Sequence, residues 1–330
     1  MPATWGPGRS DASDFAMPDC LIVTANAEEL AEEVSRLADI PIAIKACTSA
    51  AQALVDYTDE SVVFGNPDMI AEILPEMSAV DWVQSSWAGV TPLLALDRRD
   101  YVLTGIKDVF GPQMLEYVIG YMLAHELKVV QRMNEQREHN WFNADSGMLR
   151  GKRLGIMGTG SIGQHIAKTA HHFGATVTGL SRSGAPAPGF EKVTPIGRLH
   201  DFLEGIDYLI AALPQTADTE NLLDAASLAK LPAHSYLINV GRSNVVDEGA
   251  LIDALKNDRL AGAALDVFDE EPLAQNSPLW DTPNLSITAH VAAVSHPSLI
   301  VPIFIDNYRR YTNQRALKYV VDFDAGYWDS

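Results

Sequence analysis

In the second half of the chain, three side-chain types suited to anion recognition and proton transfer each follow a short apolar run. Gly241-Arg242-Ser243 follows 235–240, Phe268-Asp269-Glu270-Glu271-Pro272 follows 262–267, and His290 follows 285–289. Arginine grips a carboxylate through a fork of donors that stays charged. Histidine exchanges a proton near neutral pH, and a carboxylate beside it steadies the imidazolium and fixes the tautomer. Together they suit reduction of a 2-oxo acid: the arginine holds the acid and polarises its carbonyl, and the histidine protonates the developing alkoxide. Taken singly, each has a plainer explanation: a surface arginine, a solvated acidic run, a hydrogen-bonded core histidine. Their common placement after successive strands favours chemistry, because ligands of doubly wound sheets sit at the strands' carboxyl ends.

The hydride donor for such a reaction has its own signature. Gly158-Thr159-Gly160-Ser161-Ile162-Gly163 follows the apolar run 154–157 and opens a helical run at 162–173. The first glycine permits a tight turn, the second lets a pyrophosphate approach the backbone, and the third lets helix and strand pack closely. The N–H groups at the helix start complete an anion site. No P-loop lysine follows, which argues against phosphoryl transfer. His125-Glu126 lacks a second histidine at helical spacing, and His165, His171 and His172 lack an i, i+4 pair, so no metal site is expected.

Two alternating β/α series must position these groups, and each implies a parallel sheet. The first has strands at 20–25, 40–47, 62–65, 80–85 and 101–106, with helices at 27–38, 49–55 and 67–74, the last opening on a proline. A long helix at 113–137 carries apolar residues on more than one side, so it needs partners on both. The second series has strands at 153–157, 176–180, 208–213, 235–240, 262–267 and 285–289, and helices at 224–230 and 248–257. A last helix at 298–310 leads to 320–323, which can rejoin the first domain. Residues 1–18 read as a disordered lead-in without the features of a signal peptide. The expected domains are 19–109 plus 295–330 for substrate and 110–294 for the dinucleotide.

The 330 residues suit two domains, and their 47% hydrophobic content suffices for packed cores. The net charge of −19 argues against nucleic acid and anionic membranes as partners. No apolar run reaches the roughly 18 residues of a membrane span. Cys20 and Cys47 read as buried thiols, which suits a reducing cytoplasm.

The motifs at 158–163, Ala-Leu-Pro-Gln-Thr-Ala-Asp-Thr at 212–219, Ile-Asn-Val-Gly-Arg at 238–242, Ala-Leu-Asp-Val-Phe-Asp-Glu-Glu-Pro at 264–272 and Ile-Thr-Ala-His at 287–290 together resemble the D-isomer-specific 2-hydroxyacid dehydrogenases. The resemblance covers nearly all of the chain after its first residues. It implies two Rossmann-like, flavodoxin-like α/β domains with a cofactor cleft between them. It makes Arg242, Glu271 and His290 catalytic, and selects Glu271 over Glu270 because the family's glutamate directly precedes the proline. Ala88-Gly89 matches the family's turn for the substrate carboxylate, which Arg242 and His290 also meet. The implied cofactor contacts are residues 158–163, Leu213, Pro214, Thr219, Val240, Gly241, Arg242, His290 and Asp266, the last on the nicotinamide side.

Two positions depart from the family pattern. NAD-preferring members end the second strand of the nucleotide domain on an acid, whereas this chain has Ser181-Arg182-Ser183, which suits a 2′-phosphate. NADP(H) is therefore expected over NAD(H), with NAD(H) still able to bind. Ser243 replaces the common glycine after the arginine and is expected to alter only its loop. Val109-Phe110-Gly111-Pro112 and Glu116-Tyr117 are most similar to the glyoxylate/hydroxypyruvate reductase branch, implying a small 2-oxo or 2-hydroxy acid substrate and a homodimer through 113–137. Trp141 is expected in that dimer interface or at a partner subunit's site. The rivals are a nicotinamide-sensing, corepressor-like binding protein and a formate- or phosphite-type dehydrogenase on the same fold. The intact Arg, Glu and His favour an enzyme over the sensing protein.

Overall fold

A computed structural model describes residues 19–324 and 326–328; the lead-in expected at 1–18 lies outside them. The chain forms two compact units. One runs to Val109 and resumes at Ser295, and the other is Phe110–Val294.

The first unit holds five parallel strands: β1 (Cys20–Val23), β2 (Ile44–Cys47), β3 (Val62–Gly65), β4 (Trp82–Ser85) and β5 (Val102–Thr104), ordered β2-β1-β3-β4-β5. β1, β3 and β4 are buried at every position. Continuous apolar runs of this kind suit a parallel sheet covered on both faces. Asn66 precedes a helix with Pro67 in its first turn, where the missing N–H is no loss. The helix Pro297–Thr312 packs on Ala27–Leu37. Val320 then bridges Thr104, so the end of the chain does rejoin this unit.

The second unit holds β6 (Arg153–Met157), β7 (Thr176–Ser181), β8 (Lys192–Pro195), β9 (Tyr208–Ala211), β10 (Tyr236–Asn239), β11 (Gly262–Leu265) and β12 (Leu285–Ile287). All pair in parallel, in the order β12-β11-β10-β9-β6-β7-β8. The order reverses between β6 and β9, which defines the switch point where such sheets bind ligands.

The structure corrects the expected elements in three ways. The single helix at 113–137 is two helices, Gly111–Glu126 and Val129–Arg137, broken at Lys128 with φ +53°. A left-handed lysine cannot continue a right-handed helix. The strand at Lys192–Pro195 was not anticipated; its proline is tolerated because β8 is an edge strand. Several strands are also one or two residues shorter than their apolar runs. Val240 and Val267 stay buried after β10 and β11 have ended, so hydrophobicity outlasts the ladder.

Candidate active site

Because all seven strands of the second unit run parallel, their carboxyl ends share one edge. Along it lie His290 after β12, Asp266 after β11, Arg242 after β10, Leu213 after β9, the glycine loop after β6 and Arg182 after β7. The residues the sequence singled out in this unit are thus brought to one side in the order of the sheet.

The glycine loop fits a pyrophosphate. Gly158 has φ +107°, and a Cβ there would lie 2.6 Å from the Ala212 carbonyl oxygen. A Cβ on Gly163 would lie 2.0 Å from the Gly158 carbonyl oxygen, so helix Ser161–His172 can approach β6 only with glycine there. Space lies open around Gly160. Among the described residues no protein acceptor meets the backbone N–H of Gly160, Ser161 or Ile162. These donors, at the positive end of a twelve-residue helix, suit an anion.

The ladder pairs Met157 with Leu180, and Gly158 N donates to the Leu180 carbonyl at 2.9 Å. Ser181-Arg182-Ser183 therefore runs beside Gly158-Thr159. Ser181 Oγ accepts from Gly184 N at 3.1 Å and Ser183 Oγ from Ala185 N at 3.3 Å, while Arg182 is exposed. Gly241 packs where a Cβ would lie 2.7 Å from the Leu213 carbonyl oxygen, drawing the loops after β9 and β10 together. Pro214 is fixed by Thr219, whose buried hydroxyl donates to the Pro214 carbonyl at 2.8 Å. Thr219 therefore braces its own loop. Val240 is buried and its N–H donates to the Ala211 carbonyl at 3.0 Å, which makes it part of the frame.

His290 Nδ1 lies 2.8 Å from Glu271 Oε2. Phe268 N donates to the other carboxylate oxygen of Glu271 at 3.0 Å, holding it toward the histidine. Among the described residues it is Glu271, and not Glu270, that bonds His290, so geometry as well as motif selects Glu271. Asn239 clamps the Arg242 loop: its Nδ2 donates to the Arg242 carbonyl at 3.0 Å, and its Oδ1 accepts from Gly241 N at 3.1 Å. Burial pulls the Arg242 guanidinium below its ordinary value, against the charge of Glu271. Its Nη1 donates to the Gly241 carbonyl at 2.8 Å.

Asp266 has a role the sequence did not reveal. It is 1% exposed, and its carboxylate accepts from Thr288 Oγ1 at 2.6 Å and from Val291 N and Ala292 N at 2.9 Å each. Its carboxylate is thus held by the chain around His290.

Ala88 and Gly89 belong to the first unit, directly after β4. Ser85 Oγ accepts from Trp87 N at 3.0 Å, and Ser86 Oγ donates to Asn66 Oδ1 at 2.7 Å. Among the described residues no protein acceptor meets the N–H of Ala88 or Gly89. Trp141 is 95% exposed. No cluster of three potential metal ligands occurs among the described residues, and no helix there is long and apolar enough to cross a membrane.

A switch-point glycine cradle beside an Arg, Glu and His at neighbouring strand ends defines a nicotinamide-dependent oxidoreductase. Residues 119–292 match the D-isomer specific 2-hydroxyacid dehydrogenase, NAD binding domain, and the chain belongs to that family. A glyoxylate/hydroxypyruvate reductase A of Serratia proteamaculans is 32% identical over 264 residues, covering 78% of this chain and 84% of the relative. Among solved structures, a D-isomer specific 2-hydroxyacid dehydrogenase family protein from Aeromonas salmonicida aligns with TM-score 0.90 at 35% identity, over 94% of this chain and 100% of the other. An NADPH-dependent glyoxylate/hydroxypyruvate reductase from Sinorhizobium meliloti, solved with NADP and sulfate, aligns with TM-score 0.82 at 28% identity, over 94% and 100% of the two chains.

Proposed function

We propose that the protein reduces a small 2-oxo acid of the glyoxylate or hydroxypyruvate type to its D-2-hydroxy acid, with NADP(H) preferred over NAD(H). The observation that carries this reading is the His290–Glu271 pair at 2.8 Å on the same sheet edge as Arg242 and the glycine cradle. Residues 158–163 hold the pyrophosphate, with Leu213, Pro214, Val240 and Gly241 forming the wall and Thr219 bracing it. Arg182 and the hydroxyls of Ser181 and Ser183 receive the 2′-phosphate, a charge-assisted contact that NAD(H) lacks. When bound, the nicotinamide supplies the hydride to the carbonyl carbon. Arg242 holds the substrate carboxylate and polarises its carbonyl oxygen, and the family pattern assigns Ala88 and Gly89 of the first unit to the substrate as well. Glu271 occupies Nδ1 of His290, so the proton for the developing alkoxide leaves from Nε2. Glu271 then balances the charge when the ring is reprotonated.

The same reading makes the protein a cytoplasmic homodimer. Val130 is 63% exposed and Met133 50% on the helix Val129–Arg137, an apolar face that a second copy covers. Buried, free Cys20 and Cys47 suit a reducing compartment.

Replacing His290 by Gln tests the assignment. The amide keeps a polar group near Glu271 but cannot exchange the proton. Turnover with NADPH and glyoxylate should fall by about 10²–10⁴, with NADPH affinity within about twofold of wild type. Wild-type turnover would remove His290 from the reaction.

A further inference from the structure

His290 has φ +53°, a left-handed backbone that is uncommon for a non-glycine residue. Asp266 grips the chain at this turn. Three consecutive N–H groups end on this one residue: His290 N on the Asp266 carbonyl at 2.8 Å, Val291 N on Oδ1 at 2.9 Å and Ala292 N on Oδ2 at 2.9 Å. The direction in which the Asp266 carboxylate points therefore sets where the chain carries the imidazole. That carboxylate is buried and is held by a further donor, Thr288 Oγ1, at 2.6 Å. The Tyr117 hydroxyl lies 2.7 Å from the same Thr288 oxygen. A threonine hydroxyl has one proton, and an ionised carboxylate can only accept it. Tyr117 must then be the donor to Thr288, so the bonds run in one direction, from Tyr117 through Thr288 to Asp266. Burial pushes the Tyr117 hydroxyl far above the ordinary tyrosine range, so it keeps the proton it donates. Tyr117 is itself fixed on the helix Gly111–Glu126, its ring 4.7 Å from that of Tyr121. The bond to Thr288 joins residues 171 positions apart in the chain.

We propose that Tyr117, acting through Thr288 and Asp266, is a positioning residue that holds the His290 turn in its reactive geometry. This rests on the reading of His290 as the acid/base. Tyr117→Phe removes the donor while keeping the ring, Thr288→Val removes the relay, and Thr288→Ser retains it. The measurements are kcat and KM for glyoxylate with NADPH, NADPH affinity by fluorescence, and Tm. Tyr117→Phe and Thr288→Val should each lower kcat by about five- to twentyfold, as small misplacements of a reacting group do, with KM and NADPH affinity within about twofold. Because Tyr117 acts through Thr288, the double variant should be no worse than Thr288→Val alone. Thr288→Ser should restore at least about half of the wild-type kcat, as a retained hydroxyl keeps the relay. Wild-type kcat in Tyr117→Phe would overturn the proposal, as would losses that multiply in the double variant or a fall in Tm with kcat unchanged. The His290→Gln variant separates the two levels. If it still turns over, the acid/base reading has failed. If it is inactive while Tyr117→Phe is wild type, only the positioning role has failed.

Discussion

At the amino edge of the seven-stranded sheet, Glu126 Oε1 accepts from Tyr208 Oη at 2.7 Å and pairs with Lys152 Nζ at 2.9 Å. Its Oε2 packs against Gly147, where a side chain would collide with it. Asp207 likewise accepts from Arg153 N at 2.7 Å and lies 2.8 Å from His234 Nε2. At the carboxyl edge, by contrast, the amides of Gly160 to Ile162 meet no protein acceptor among the described residues, Arg182 and His290 are exposed, and His290 sits in a left-handed conformation. The strands thus begin among groups that satisfy one another and end at loops whose helix-start amides and exposed side chains face outward. Buried polar networks stabilise when complete, whereas a binding edge needs donors aimed outward and local strain. Damage at the first edge should therefore appear in stability, and damage at the second in turnover.

The largest effect that separates the edges is expected at Glu126. Glu126→Ala removes the carboxylate from Lys152 and leaves the buried Tyr208 hydroxyl only the Met122 carbonyl at 3.4 Å. Burial and the Glu126 bond push that hydroxyl far above the ordinary tyrosine range. Losing the best acceptor of a buried hydroxyl costs about 1–3 kcal/mol, read as a lower Tm, while kcat at 25 °C should stay within about twofold. A loss of kcat with Tm intact would show that the edges are not independent.

A smaller effect is expected at His125, whose ring lies 4.7 Å from that of Tyr236. Burial holds His125 below its ordinary value, chiefly against the charge of Glu126. The folded chain then binds this proton less readily than the unfolded chain. Stability from this group is complete above the unfolded value of about 6.5 and is lost as pH falls below it. His125→Phe keeps the ring packing and should flatten the decline of Tm between about pH 7 and 5. An unchanged slope would remove His125 from the acid response.

The difference between the edges also explains what the sequence revealed. The carboxyl edge was legible because its chemistry demands particular residues at short range: glycines where no Cβ fits, and Arg242, Glu271 and His290 directly after apolar runs. The amino edge was not. Glu126, Lys152 and Tyr208 are far apart in the chain, and ordinary residue types carry no spacing signal for a network. The break at Lys128 was hidden for a related reason: no glycine or proline marks it. The grip of Asp266 on 290–292 was equally hidden, because which way a carboxylate turns after a strand depends on donors more than twenty residues away.

The activity proposed for the carboxyl edge is reduction of 2-oxo acids with NADPH. It is tested most directly by steady-state rates of the wild-type protein with NADPH and NADH across 2-oxo acids of graded size. Oxidation of NADPH with glyoxylate or hydroxypyruvate is expected, at a kcat/KM at least about tenfold above that with NADH, the advantage expected from Arg182 on a 2′-phosphate. No oxidation with any 2-oxo acid, or a clear preference for NADH, would contradict it.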